Sequence, residues 1–175
     1  TQITERSLKV GVSLYIRNGQ QSLWENGIFQ NCLFLVMLLQ QAPHIGEVYL
    51  VHGGDGTDEH REKLLDGMPF QFLSLEQAQD VLDVAIEMSA QLDPVWVQAF
   101  RDKGGKIISA HVGNDYVIDV ERIIFDKPHA HLMSGSEYHS VWTLPEYEKT
   151  CIPYYSAATR IPTVAMPHLW SPVVL

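Results

Sequence analysis

Apolar residues along this chain fall in short runs of strand length that alternate with helical patterns. The first run, residues 8–16, is apolar enough for a central strand buried on both faces. Further strands are predicted at residues 47–51, 70–75, 81–88, 106–112, 139–144 and 162–167. Strands separated by helices predict right-handed crossovers and an α/β fold. We expect a Rossmann-like three-layer sandwich, with a mostly parallel sheet, over residues 8–167.

Helical patterns lie between these strands, at residues 27–41, 58–66 and 116–125. Ser74 with Gln77 predicts a capping box for one turn of helix. Asp93 followed by Pro94 predicts the cap and the first residue of the next helix. The glycine pair at 104–105 predicts the left-handed end of that helix.

The helix at 27–41 is unusually apolar. Ten of the twelve residues from Ile28 to Leu39 are apolar, and the exceptions are Gln30 and Asn31. A membrane span needs about 20 apolar residues, so no transmembrane segment is predicted. The pattern favours a helix covered on nearly all sides, lying on the sheet and under another layer.

Charge and composition exclude several classes of function. The net charge is −9, with 12 basic and 21 acidic residues and no basic cluster, which argues against a nucleic-acid or anionic-membrane surface. Cys32 and Cys151 form neither a disulfide framework nor a metal pattern, and both are expected to be free thiols. His129 and His131 have no further ligand nearby, so a solvated loop is favoured and no metal site is predicted.

Neither end of the sequence looks like a natural terminus. It begins without Met or a signal peptide and stops after an apolar segment, so we expect a piece of a longer protein. The predicted location is the cytoplasm, with the inner face of the membrane as an alternative.

Ligands of parallel sheets bind at the carboxyl ends of the strands, where the strand order reverses. The loop at 17–27 follows the first strand, and Gly27 would let a ligand approach the backbone where the helix N-terminus favours anions. The alternative is a surface loop whose glycine is tolerated at a helix start. No G-x-G-x-x-G, Walker A, G-x-S-x-G or H-E-x-x-H motif is present, and GGDG at 53–56 is interpreted as a turn.

A second candidate is His111, at the carboxyl end of the predicted fifth strand. A neutral imidazole there can hydrogen-bond a ligand or act as a base. Asn114 and Asp115 follow it in the loop. The alternatives are a satisfied buried histidine, and an Asn-Asp pair that caps the next helix.

Four segments resemble the N-terminal half of two-domain, nucleotide-sugar-dependent glycosyltransferases of the GT-B fold, and in particular a poorly characterised bacterial family of them. They are SLWENGIFQN after the first strand, GGKIISAHVGNDYV, VWTLPEYEKT and RIPTVAMPHLWSP, in this order over nearly the whole chain. The resemblance implies an acceptor-side domain, with residues 168–175 starting the linker to a C-terminal donor-binding domain absent from this sequence.

The resemblance also implies roles for single residues. Asn26 and Gly27, in the loop that carries Trp24, would face the donor phosphates. His111 would face the transferred sugar, and Asn114 and Asp115 would lie beside it. The nucleotide sugar is a substrate, so no cofactor is predicted. The partners would be the chain's own C-terminal domain, the nucleotide sugar and a glycan acceptor, as in polysaccharide biosynthesis. Without the donor domain, this chain alone is not expected to catalyse sugar transfer.

Two other classes of protein remain compatible with the sequence. One is a non-catalytic domain of Rossmann-like fold that binds a carbohydrate or a partner protein. The other is a stand-alone flavodoxin-like or receiver-like binding module.

Overall fold

The computed structural model of the chain describes residues 7–16, 27–53, 69–88, 90–111, 124–125, 139–143 and 163–165. The chain divides into two compact units, residues 1–106 and 107–175. Helices α1 (Gly27–Gln40), α2 (Leu75–Val81) and α3 (Pro94–Asp102) belong to the first unit. The strands are β1 (Leu8–Tyr15), β2 (Ile45–Gly53), β3 (Gln71–Ser74), β4 (Val84–Glu87), β5 (Lys106–His111), β6 (Ser140–Thr143) and β7 (Thr163–Ala165).

The described strands confirm the predicted parallel α/β fold. In the first unit the strand order is β3-β2-β1-β4, and each of its pairings is parallel. In the second unit β5, β6 and β7 pair side by side, also in parallel. Parallel neighbours need long crossovers, which the helices of the first unit provide.

Strand β1 lies at the centre of the first unit, as its apolar sequence predicts. Val12 and Leu14 are fully buried on one face of the strand, and Gly11 and Ser13 are buried on the other. Gly11 has no room for a side chain, since an added Cβ would lie 2.4 Å from Leu82 Cδ1 and 2.7 Å from Val51 Cγ2. A strand covered on both faces is the arrangement found in parallel sheets.

The helices cover both faces of this sheet. α1 packs against β1 and β2, and α2 packs against β2, β3 and α3. The chain moves from β1 to β2 in one direction and from β3 to β4 in the other. Because crossovers of this kind are right-handed, the reversal places α1 and α2 on opposite faces, which makes a three-layer Rossmann-like sandwich.

Local signals fix three helix ends, the starts of α2 and α3 and the end of α3, at the predicted places. Ser74 accepts a hydrogen bond from Gln77 N while the Gln77 side chain accepts one from Ser74 N, which completes the capping box. Asp93 accepts hydrogen bonds from Val95 N and Trp96 N at the start of α3. After α3, Gly104 has φ 89°, a left-handed conformation that glycine adopts without strain.

Some predicted boundaries are wrong. Val81 ends α2, so the fourth strand begins at Val84 and the helix after Ser74 is longer than the single turn expected. α1 was expected to be covered on nearly all sides, and within it Met37 and Leu38 are about half exposed near the C-terminal end. The helix predicted at 58–66, and nearly all of that at 116–125, lie outside the described residues. Cys32 is buried and forms no disulfide within the described residues, as predicted, whereas Cys151 lies outside them.

A side-chain pair along β2 leads to a prediction about pH. Tyr49 donates a hydrogen bond to Glu47, and Lys9 Nζ lies 3.6 Å from Glu47 Oε2. The hydrogen bond from Tyr49, and then the charge of Lys9, hold the pKa of Glu47 below its usual value. This carboxylate therefore stabilises the fold above its unfolded pKa, and the contribution is lost as pH falls through the folded pKa. We expect Tyr49→Phe to raise the pKa of Glu47 in an NMR titration; an unchanged value would contradict the contact.

Candidate functional site

The strand order of the first unit reverses at β1. The chain passes from β1 to β2 and β3 on one side, and then returns to place β4 on the other side of β1. The carboxyl ends of β1 and β4 are therefore neighbours from which the chain leaves towards opposite faces. In parallel α/β sheets this switch point is where ligands bind.

One side of the switch point carries the N-terminus of α1. Gly27 is the first helical residue and is exposed, and a Cβ added to it would meet no atom of the described residues within 4 Å. Its φ is not in the left-handed region, so neither backbone conformation nor packing within the described residues requires glycine there. The first turn contains no acidic residue, which leaves the partial positive charge of the helix end uncompensated by side chains of that turn. Such a helix end can receive an anionic group.

A buried polar atom lies one turn further along α1. The side-chain oxygen Oδ1 of Asn31 is buried and has no hydrogen-bond partner within the described part of the chain. Gly27 and Asn31 are four residues apart and therefore share a face of the helix. Buried polar atoms without a partner are rare in folded proteins.

The other side of the switch point carries the segment that follows β4, residues 88 and 90–92, which we call the strap. Ser13 Oγ accepts hydrogen bonds from Met88 N at 2.9 Å and from Ala90 N at 3.3 Å. The same oxygen donates to the carbonyl of Ala90 at 2.7 Å. A hydroxyl has one donor and two acceptor sites, so the strap saturates this buried side chain.

A second buried polar side chain holds the far end of the strap. Glu87, at the end of β4, accepts a hydrogen bond from Leu92 N at 2.8 Å through Oε2. Its carboxyl group is thus used inside the fold, next to the Asp93 cap that starts α3. The strap is fixed at both ends by groups that have been removed from water.

The strap also reaches across the sheet to β2. A Cβ added to Gly53, the last residue of β2, would lie 2.8 Å from Ala90 Cβ. Contacts this short essentially never occur, so the strap can take this path only because residue 53 is glycine. Gly53 was interpreted from the sequence as the start of a turn. It is instead the last residue of β2, and the strap packs against it.

The structure places two of the six predicted site residues. Gly27 begins α1, and His111 is the last residue of β5, where its backbone pairs in register with Thr143 of β6. His111 is at the carboxyl end of a parallel strand, as predicted, and Gly27 begins the first helix described after β1. Four predicted residues lie outside the described part of the chain: Trp24, Asn26, Asn114 and Asp115. That Gly27 and His111 face one cleft remains a prediction.

Sequence reasoning missed the residues that hold the strap. Ser13 and Glu87 lie in segments predicted as apolar strands, and neither was given a role of its own. A lone hydroxyl or carboxylate inside a buried strand is itself a signal, because such a group needs hydrogen-bond partners. What the sequence could not show is that both groups hold the same segment.

The described residues contain neither a cluster of metal ligands nor a helix that could cross a membrane. No three His, Cys, Asp or Glu side chains in this part of the chain come together as metal ligands. No helix among the described residues is long and apolar enough to cross a membrane.

Comparison with known proteins identifies a family. The model of a family described as "Protein of unknown function (DUF2827)" matches residues 10–175. The comparison with curated proteins and the comparison with solved structures found no match.

Proposed function

Because the chain belongs to the DUF2827 family, whose description names no activity, we propose its function on physical grounds and from its resemblance to GT-B enzymes. We propose that it is the acceptor-side domain of a glycosyltransferase that moves a sugar from a nucleotide sugar to a glycan. A C-terminal domain of the longer protein would bind most of the donor.

The observation that carries the proposal is the combination found at the switch point. An exposed glycine opens a largely buried helix, the first helix described after the central strand, and no feature of the described fold requires a glycine there. The helix end favours the negative charge of a diphosphate, and the missing side chain leaves the backbone accessible to it. A donor diphosphate placed there would be held by backbone N–H groups on a rigid support.

The proposed chemistry needs a base and a leaving group. The acceptor hydroxyl attacks the anomeric carbon of the donor sugar, and the bond from that carbon to the diphosphate oxygen breaks. The hydroxyl proton passes to a general base, and the diphosphate leaves with the electron pair of the broken bond. Positive charge at the N-terminus of α1 would stabilise that leaving group as its negative charge develops.

The test is nucleoside diphosphate release by the full-length protein, supplied with a panel of uridine and guanosine diphosphate sugars and a glycan extract as acceptor. We expect release from at least one donor, and an acceptor-dependent increase in its rate. Absence of release from every donor would overturn the proposal, and binding without release would favour the non-catalytic, carbohydrate-binding alternative.

Gly27→Ala tests the role of the helix end. We expect an unchanged melting temperature, because the added methyl group meets open space, and a fall in donor turnover of about tenfold or more, because interactions with a developing charge are worth that much. Gln40→Ala is the control, since it also introduces an alanine into α1 but at the exposed opposite end of the helix. Full activity of Gly27→Ala would remove the helix end from the site.

A further inference from the structure

We propose that the strap, residues 88 and 90–92, is a preformed wall of the ligand site at the switch point, and that Ser13 and Gly53 are positioning residues that act through it. This inference rests on the proposed function, because it assigns the strap to the same site. Neither residue is proposed to touch the substrate.

The first step of the argument concerns buried polar groups. Among the described residues, the buried polar or charged side chains are Ser13, Glu87 and Ser109. Two of these three, Ser13 and Glu87, make four hydrogen bonds to the backbone of the strap. Burying a hydroxyl or a carboxylate is costly unless it is hydrogen-bonded, so an apolar contact would have been a simpler way to cover a sheet edge. What these groups add is a fixed backbone path.

The second step concerns position. The strap leaves the carboxyl end of β4, passes Ser13 of β1 and reaches Gly53 of β2. It therefore lies along the edge at which the strand order reverses. A ligand bound at that edge would have the N-terminus of α1 on one side and the strap on the other.

The third step concerns rigidity. Reacting groups must be held close to their productive geometry, and a displacement of about 1 Å can lower a rate by about 10²-fold. A loop clamped by two buried side chains and seated on a glycine has little freedom to move. The strap therefore suits a surface against which an acceptor is oriented, rather than a lid that opens.

Two variants displace the strap in different ways. Ser13→Ala removes the hydroxyl and with it three of the hydrogen bonds to the strap. Gly53→Ala keeps every hydrogen-bonding group but places a methyl group about where Ala90 now lies, so the strap must shift. Val10→Ala is the control, since Val10 is buried in the same strand β1, near its other end, and lies on the opposite face of the strand from Ser13.

The experiment measures kcat, KM and melting temperature of the full-length variants, with the nucleotide sugar that the unmodified protein turns over, at a temperature where every variant is folded. We expect Ser13→Ala and Gly53→Ala to lose about tenfold or more in kcat. Val10→Ala should lower the melting temperature and keep kcat within about twofold.

The possible results separate the two proposals. Equal kcat in all variants of an active protein, or an equal loss in all three, would overturn the role of the strap and leave the proposed function standing. No turnover by the unmodified protein would overturn the proposed function and the strap role with it. Loss of kcat in the two strap variants alone supports both.

Discussion

Replacing Ser13 with Ala is expected to lower the free energy of unfolding of this chain by about 3 kcal/mol or more, since each buried group left unpaired costs about 1 to 3 kcal/mol. The substitution leaves three backbone groups without a partner: the N–H groups of Met88 and Ala90 and the carbonyl of Ala90. The methyl group of alanine fits the space but can replace none of these bonds. Urea unfolding followed by circular dichroism measures the change.

A second serine provides the control for this measurement. Ser74 accepts one hydrogen bond, from Gln77 N, at the start of α2 in an exposed position. Removing such a cap costs about 1 kcal/mol, so Ser74→Ala should be clearly less damaging than Ser13→Ala. Equal effects of the two substitutions would mean that water replaces the lost partners at the strap and that the strap is not a buried, clamped segment.

Three helix ends, the starts of α2 and α3 and the end of α3, could be predicted from the sequence because their signals are local. A capping box joins residues three positions apart, and the Asp93 cap acts on the next two or three residues. A glycine that ends a helix needs only its own backbone freedom, as at Gly104. None of these interactions depends on how the sheet is assembled.

The start of β4 was predicted too early for a related reason. Leu82 is buried because it packs against the bare backbone of Gly11, a contact made between distant parts of the chain. Burial of Val81 or Leu82 looks the same in a sequence whether the residue ends a helix or begins a strand. The polar Asp83 marks the true boundary, since its N–H and side chain both pair with the backbone of Lys9.

The candidate site was only partly accessible to prediction. The rule that ligands bind at carboxyl ends of parallel strands needs just the order of strands and helices, so Gly27 and His111 could be proposed from the sequence. The strap depends on hydrogen bonds between residues 75 and 77 positions apart. Such a pairing follows from the strand order β2-β1-β4, which a single sequence does not show.

Turnover by the full-length protein is expected to fall by about 10²-fold or more when His111 is replaced with Ala, the usual scale for an acid–base group. The motive is position, because His111 ends β5 at the carboxyl end of a parallel strand. If the imidazole takes the proton of the acceptor hydroxyl, its loss affects the chemical step and spares the fold. Steady-state kinetics with a saturating nucleotide sugar, together with the melting temperature, measure both effects.

His139 is the matched control for this last prediction. Its Nδ1 accepts a hydrogen bond from Ile107 N at 3.0 Å in a partly buried position, which is a structural role. His139→Ala leaves that N–H unpaired, so we expect it to lower stability by about 1 to 3 kcal/mol and to leave kcat unchanged. The two histidines should therefore show opposite effects, one on turnover and the other on stability. A His111→Ala protein that melts earlier and keeps its full turnover would make His111 a packed residue and remove it from the site.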